Sequence, residues 1–292
     1  MQWEVYMEKK IIFLDIDGTL MDFDGQLPGS AREALYQAKV DGHRLVLCTG
    51  RVKAQIYPEL LAMDFDGIIA SAGAYVECDG REIYRHIVDR EPLGRAVDYF
   101  EQTGTTYMLQ TKNGAVMTEQ SREAMVRHFF DLGMSEEMME KVMVCDIFLQ
   151  ENLKNCDNVE KMAYYDAPVS MEDIQKILGD YFTVEGASYK SGEGSNGEIT
   201  CAGETKATGI RRYVTHIGGD MKDTVSIGDG PNDVEMLAAT AVAVAMGNAD
   251  SGLKAMADFV TDDVDKNGLW KAFRWIDESI CPGRKSGVFL KK

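Results

Sequence analysis

Short apolar runs alternate with helix-forming stretches in the first part of the chain, and each run stops at polar residues or glycine. "IIFL", residues 11–14, reads as a β-strand driven straight into Asp15, Ile16, Asp17 and Gly18. Ser30, with Glu33 three residues later, has the form of a capping box, so a helix is expected from there to about Asp41. "RLVLC" then forms a second strand that ends at Thr49–Gly50. The stretch from Arg51 to Met63 has helical period, with Pro58 expected to break or kink it. "GIIAS" gives a third strand. Strands and helices in this order imply a doubly wound α/β fold around a parallel sheet with right-handed crossovers.

The rhythm changes from about Tyr84. "PLGRAVDYFEQTG" reads as a helix, "TTYMLQT" and "AVMTE" as strands around a "KNG" turn, and "SREAMVRHFFDLG" as another helix. "VEKMAYYD" is a strand, "SMEDIQKILGDY" a helix, and "FTVEGASY" with "GEITC" a hairpin across a Gly/Ser-rich turn. Strict α/β alternation returns near Thr205. The expected organisation is a discontinuous core, residues 1–84 with 202–292, interrupted by an α+β domain over 85–201.

Bulk properties exclude several classes. The formal charge of −17 argues against a nucleic-acid or anionic-membrane partner, since either needs a basic footprint. No apolar run approaches the roughly 20 residues of a membrane span. "MQWEVYMEKK" lacks the form of a secretory signal, and Met7 is a candidate natural start that would leave residues 1–6 dispensable. The six cysteines are scattered without a C-x-x-C pair, as expected of reduced thiols in the cytoplasm. Neither they nor the four histidines have zinc-site spacing.

Four segments place polar groups after apolar strands or at helix starts: D15-I-D17-G-T, C-T49-G-R, E-T-K206-A-T-G and G-D229-G-P-N232-D233. Ligands of open α/β sheets bind beyond the carboxyl ends of the strands, where such loops converge. Asp15, Asp229 and Asp233 offer hard oxygen ligands of the kind Mg2+ prefers. Thr49, the Gly50 N–H and Lys206 are donors matched to a phosphoryl group. The i, i+2 spacing of Asp15 and Asp17 puts both on one side, so one carboxylate can attack while the other handles protons.

In that order, D-I-D-G-T-L, T-G-R, the lone lysine and G-D-G-x-N-D resemble the four motifs of the haloacid dehalogenase (HAD) superfamily. The long insert resembles the type IIB cap of its Cof-like subfamily, and "VAMGNA" a segment that follows its last motif. The resemblance implies a Rossmann-like core and phosphatase chemistry through an aspartyl-phosphate. Asp15 would be the nucleophile and Asp17 the acid and base. Mg2+ would be held by Asp15, the Asp17 carbonyl and Asp229, with Asp233 orienting its waters. Thr49, Gly50, Lys206 and Asn232 would contact phosphate, and Thr19 would shape the turn. Substrates would be small phosphorylated metabolites such as sugar phosphates, flavin mononucleotide or pyridoxal phosphate, handled by a monomer or homodimer. A sugar phosphomutase and a non-catalytic phosphometabolite-binding module are the alternatives. The chain departs from the family at Ser71-Ala72-Gly73, where an asparagine–glycine pair is usual, and at Ala207, where glycine is.

Each piece also has a plain structural reading. An isolated D-x-D is usually a solvated strand end, and G-D-G a turn; the four motifs in order outweigh this. Arg51 is as readily a partner for an acid as a substrate contact. Asp22 and Asp24 read as loop acids, and Met134, Met138, Met139 and Met143 as packing of the insert. Lys190 and Glu193 sit on a glycine-rich turn, which reads first as exposed. Arg90, Arg95, Arg122 and Arg127 read as solvent-facing, which disfavours the mutase.

Overall fold

The computed structural model describes residues 9–135, 139, 144–186 and 196–281. Lys190, Glu193, Met138, Met143 and residues 1–8 lie outside them. In chain order the elements are β1 (Ile11–Leu14), α1 (Gly29–Val40), β2 (Arg44–Cys48), α2 (Pro58–Leu61), β3 (Gly67–Ala70), β4 (Tyr75–Cys78) and β5 (Arg81–Arg85). There follow α3 (Arg90–Thr103), β6 (Thr106–Thr111), β7 (Gly114–Met117), α4 (Glu119–Asp131), β8 (Ile147–Leu149), β9 (Val159–Tyr165) and α5 (Met171–Leu178). The chain continues with β10 (Phe182–Gly186), β11 (Gly197–Cys201), α6 (Lys206–His216), β12 (Thr224–Gly228) and α7 (Val234–Ala239). The last elements are β13 (Val242–Ala245), α8 (Ser251–Met256), β14 (Phe259–Val260) and α9 (Gly268–Trp275).

The described chain divides into two compact units, one of residues up to Leu47 with those from Val214 onward, the other Cys48–Tyr213. In the first unit, parallel strands run in the order β14-β13-β12-β1-β2. Ile12, Phe13 and Leu14 of β1 are completely buried, as a central strand of a parallel sheet requires. The chain leaves β1 toward β2 but returns at β12 on the other side of β1. That reversal opens a crevice at the carboxyl ends of β1 and β12.

The second unit contains the antiparallel run β3-β4-β5 and a six-stranded sheet ordered β10-β11-β9-β6-β7-β8. One face of that sheet, with Leu109, Met162, Tyr164 and Ile199, forms a core with Leu93, Val97 and Phe100 of α3 and Ile174 of α5. On the other face Met108, Met117 and Tyr165 are covered by Met125 and Phe129 of α4, with Met134 and Met139 half-buried beside them. Gln110, Lys161 and Thr200 stand opposite one another in the ladder and share this second face.

Three local expectations are corrected. α1 begins at Gly29 after Pro28, without a side-chain cap, so Ser30 lies inside the helix and no capping box with Glu33 forms. Pro58 opens α2 rather than breaking a longer helix, because its missing N–H costs nothing at a first turn. The stretch from Tyr75 to Arg85 forms two strands where no separate element was expected.

Candidate active site

Parallel register sets Leu14 opposite Ile227, so Asp15 and Asp229 both emerge at the carboxyl ends of neighbouring strands. Asp15 extends the ladder, its N–H donating to the Ile227 carbonyl at 3.0 Å, and its side chain is buried. The chain then folds back: Leu20 and Met21 donate to the Ile16 carbonyl at 2.9 and 2.8 Å, and Gly18 to that of Met21 at 2.8 Å. Asp17, at the tip of this turn, is exposed. Gly18 has φ +84°, and a Cβ there would collide with the Asp229 carboxylate. Only glycine meets both demands.

The carboxylates of Asp15, Asp229 and Asp233 each offer an oxygen within 4.8 Å of the others. Asp233 is fully buried, and its Oδ2 accepts from the N–H groups of Asp229 and Gly230 at 2.9 and 3.0 Å. Thr19, also fully buried, donates to Asp229 Oδ1 at 2.9 Å. Asn248 Nδ2 donates to Asp229 Oδ2 at 3.1 Å and to the Gly18 carbonyl at 2.9 Å. Its Oδ1 accepts from the Val264 N–H at 2.9 Å, which fixes the amide's orientation. Asn232 stands beside Gly230 in the same loop. Three converging carboxylates repel unless a cation joins them, and an all-oxygen donor set fits Mg2+.

Thr49, Gly50 and Lys206 belong to the other unit. Thr49 is buried, and its N–H donates to the Ile69 carbonyl at 2.8 Å. Its Oγ1 accepts from the Arg51 N–H at 3.1 Å. Lys206 is buried at the start of α6, where Thr205 and Thr208 cap each other: each N–H donates to the other's hydroxyl, at 3.0 and 3.2 Å. Both segments are held by the loop after β3. The N–H groups of Ser71 and Ala72 donate to the carbonyls of Arg51 and Thr49 at 2.7 and 3.2 Å, and a Cβ on Gly73 would collide with the Thr205 carbonyl. Ser71 and Ala72 both have φ +52°, a strained conformation for residues with a Cβ. Strain of this kind persists where the surroundings over-determine it. Here Ser71 Oγ donates to Glu160 Oε2 at 2.5 Å, and Arg212 donates to the Gly73 carbonyl at 3.2 Å.

Two residues hold Asp229 that the sequence does not mark for it: Thr19, expected only to shape the turn, and Asn248, which lies in "VAMGNA". Arg51 donates to the Gln55 carbonyl at 3.0 Å and to the Tyr57 hydroxyl at 3.1 Å, with its guanidinium over the Tyr57 ring. Asp22 accepts from the N–H groups of Asp24 and Gln26, an ordinary loop role. Arg90, Arg95, Arg122 and Arg127 are exposed and pair with Asp157, Asp180, Glu119 and Glu123.

Comparison with known proteins gives the chain a family. The family described as haloacid dehalogenase-like hydrolase matches residues 12–273. The pyridoxal phosphate phosphatase YbhA of Escherichia coli is 26% identical over 266 residues, covering 88% of this chain and 94% of its own. The 5-amino-6-(5-phospho-D-ribitylamino)uracil phosphatase YwtE of Bacillus subtilis is 26% identical over 278 residues, covering 89% and 95%. The solved structure of the HAD subclass IIB sugar phosphatase BT4131 superposes with a TM-score of 0.75 at 29% identity, covering 91% of this chain and 98% of that one. The chain belongs to the haloacid dehalogenase-like hydrolases, as an enzyme of the phosphatase type in subclass IIB. No helix among the described residues is long and apolar enough to cross a membrane.

Proposed function

We propose that this chain is a Mg2+-dependent phosphatase of small phosphorylated metabolites, with sugar phosphates, flavin mononucleotide and pyridoxal phosphate as the substrates to try first. The observation that carries this reading is the meeting of Asp15, Asp229 and Asp233 at the switch point of a parallel sheet. Asp15 Oδ attacks phosphorus, and the ester P–O bond breaks with its electron pair going to the departing oxygen. Asp17 gives that oxygen a proton. The resulting aspartyl-phosphate is cleaved by water, which loses a proton to the Asp17 carboxylate and releases Asp15 and inorganic phosphate. Exposure of Asp17 suits a group that exchanges protons with substrate and water. Mg2+ held by Asp15, the Asp17 carbonyl and Asp229, with Asp233 orienting its waters, would supply positive charge to the phosphoryl oxygens. Thr49, the Gly50 N–H, Lys206 and Asn232 are assigned to phosphoryl oxygens, where stabilising developing charge is the main service a protein can offer.

The second domain of this reading spans residues 85–201 and selects the organic part of the substrate. Its four exposed, paired arginines give a second phosphate no buried anchor, which favours phosphatase over mutase. The net charge of −17 and the scattered cysteines support a cytoplasmic enzyme without nucleic-acid or membrane partners, and the reading takes it to be a monomer or homodimer. The test is phosphate release from those esters with Mg2+ or with chelator, beside Asp15→Asn. Turnover that needs Mg2+ and disappears in the variant is expected. Turnover indifferent to both would overturn the reading.

A further inference from the structure

The peptide between Gly50 and Arg51 is held at both ends. Its carbonyl accepts from Lys161 Nζ at 2.8 Å, and its N–H donates to Thr49 Oγ1 at 3.1 Å. The second bond occupies an acceptor position on the Thr49 hydroxyl, so the hydroxyl's own proton points elsewhere. The carbonyls on either side are fixed as well, that of Thr49 by the Ala72 N–H and that of Arg51 by the Ser71 N–H. Three successive carbonyls are thus turned to protein donors. The Gly50 N–H and the Thr49 hydroxyl proton meet no acceptor among the described residues, so they remain as the loop's uncommitted donors.

Of the three supports, only the middle one is a side chain. Lys161 comes from β9, its side chain has no exposed surface, and Glu198 on β11 pairs with it at 2.6 Å. A buried ammonium paired with a half-buried carboxylate costs desolvation that apolar residues of the same shape would not, so stability alone does not account for an ammonium here. The preceding residue points to the same loop. Glu160, fully buried, accepts from Ser71 Oγ at 2.5 Å and from Arg85 Nε at 2.7 Å, and so steadies the residue that holds the Arg51 carbonyl.

We propose that Lys161 is a positioning residue for phosphoryl binding. Its ammonium, oriented by Glu198, sets the plane of the Gly50–Arg51 peptide and so aims the Thr49 hydroxyl and the Gly50 N–H at phosphoryl oxygens. This rests on the phosphatase reading, with Thr49 and Gly50 as phosphoryl ligands.

The experiment titrates inorganic phosphate, with Mg2+ present, into 15N-labelled wild-type, Lys161→Met and Glu198→Gln proteins while following the Gly50 amide. Phosphate-ester turnover is measured in parallel. Lys161→Met is expected to fold, to show a displaced Gly50 resonance before phosphate is added, and to lose roughly ten- to hundredfold in both phosphate affinity and kcat/KM. Glu198→Gln leaves the ammonium beside Gly50 and is expected to lose several-fold less. Wild-type affinity and kcat/KM in Lys161→Met overturn the proposal, as does an equal loss in Glu198→Gln. A Lys161→Met protein that fails to fold also overturns it, because the ammonium then supports the fold rather than the loop. Wild-type protein that hydrolyses esters while its Gly50 amide ignores phosphate removes the positioning role alone. Wild-type protein that binds phosphate at Gly50 but hydrolyses nothing removes the phosphatase reading alone.

Discussion

The hydroxyl of Thr19 donates to Asp229 Oδ1 at 2.9 Å, across 210 positions of sequence, and is wholly buried in doing so. With Asn248 donating to the other oxygen, the bond leaves Asp229 few orientations beside Asp15 and Asp233. Thr19→Val keeps the shape and removes the donor. The half-saturating Mg2+ concentration for turnover is expected to rise roughly tenfold, as for loss of an outer partner of a metal ligand. An unchanged Mg2+ dependence would show that Asp229 is oriented without Thr19.

Asn248 does similar work from the opposite side, donating to Asp229 Oδ2 and to the Gly18 carbonyl while its Oδ1 accepts from Val264. Asn248→Asp keeps the acceptor for Val264 but replaces the donor with a second carboxylate beside Asp229. Activity at fixed Mg2+ is expected to fall about tenfold or more, with part regained at high Mg2+. Equal activity at every Mg2+ concentration would count against the contact.

Gly18 combines φ +84° with a carboxylate where a Cβ would lie. Gly18→Ala is expected to destabilise the protein by about 1–3 kcal/mol and to remove most activity, since Asp229 must move. Thermal unfolding and turnover together check this. Loss of stability with full activity would mean that the turn relaxes without disturbing Asp229.

Tyr84 donates to Glu204 Oε1 at 2.7 Å, with Arg212 over its ring. Burial, and then the hydrogen bond to Glu204, pushes its phenol up to about 12. In the unfolded chain a tyrosine titrates near pH 10, roughly. At pH values between the two, the unfolded chain has released the proton that the folded protein keeps. Stability present below about pH 10 is therefore lost as the pH rises toward the folded value. Urea midpoints measured up that range should fall less steeply in Tyr84→Phe than in wild type. Parallel slopes would place the alkaline loss elsewhere.

How much was legible in the sequence follows from the range of the interactions involved. Asp15 and Asp229 could be read because each stands directly after an apolar run, and a strand's end is a local property. The alternating elements were legible for the same reason. Thr19–Asp229, Asn248–Gly18 and Lys161–Gly50 join residues far apart in sequence, and no periodicity marks a partner at that distance. Ser30 misled because a capping motif specifies an acceptable helix start, whereas Pro28, with its fixed φ, led the chain into the helix at Gly29. The Tyr75–Arg85 strands were hidden by charged residues, since β5, "REIYR", is only partly buried and lacks a continuous apolar run. Ser71 could be seen as a departure from the family. That it takes φ +52° and leans on a buried glutamate could not, because Glu160 reaches it from a different sheet.

The most direct measurement is of the covalent intermediate itself. Protein quenched in acid during turnover of an accepted phosphate ester with Mg2+ would be digested and its peptides weighed. The expected result is one added phosphoryl group on the peptide holding Asp15, lost when Mg2+ is chelated and missing in Asp15→Asn. Steady turnover with the phosphoryl group on another residue, or on none, would contradict Asp15 as the nucleophile and the mechanism built on it.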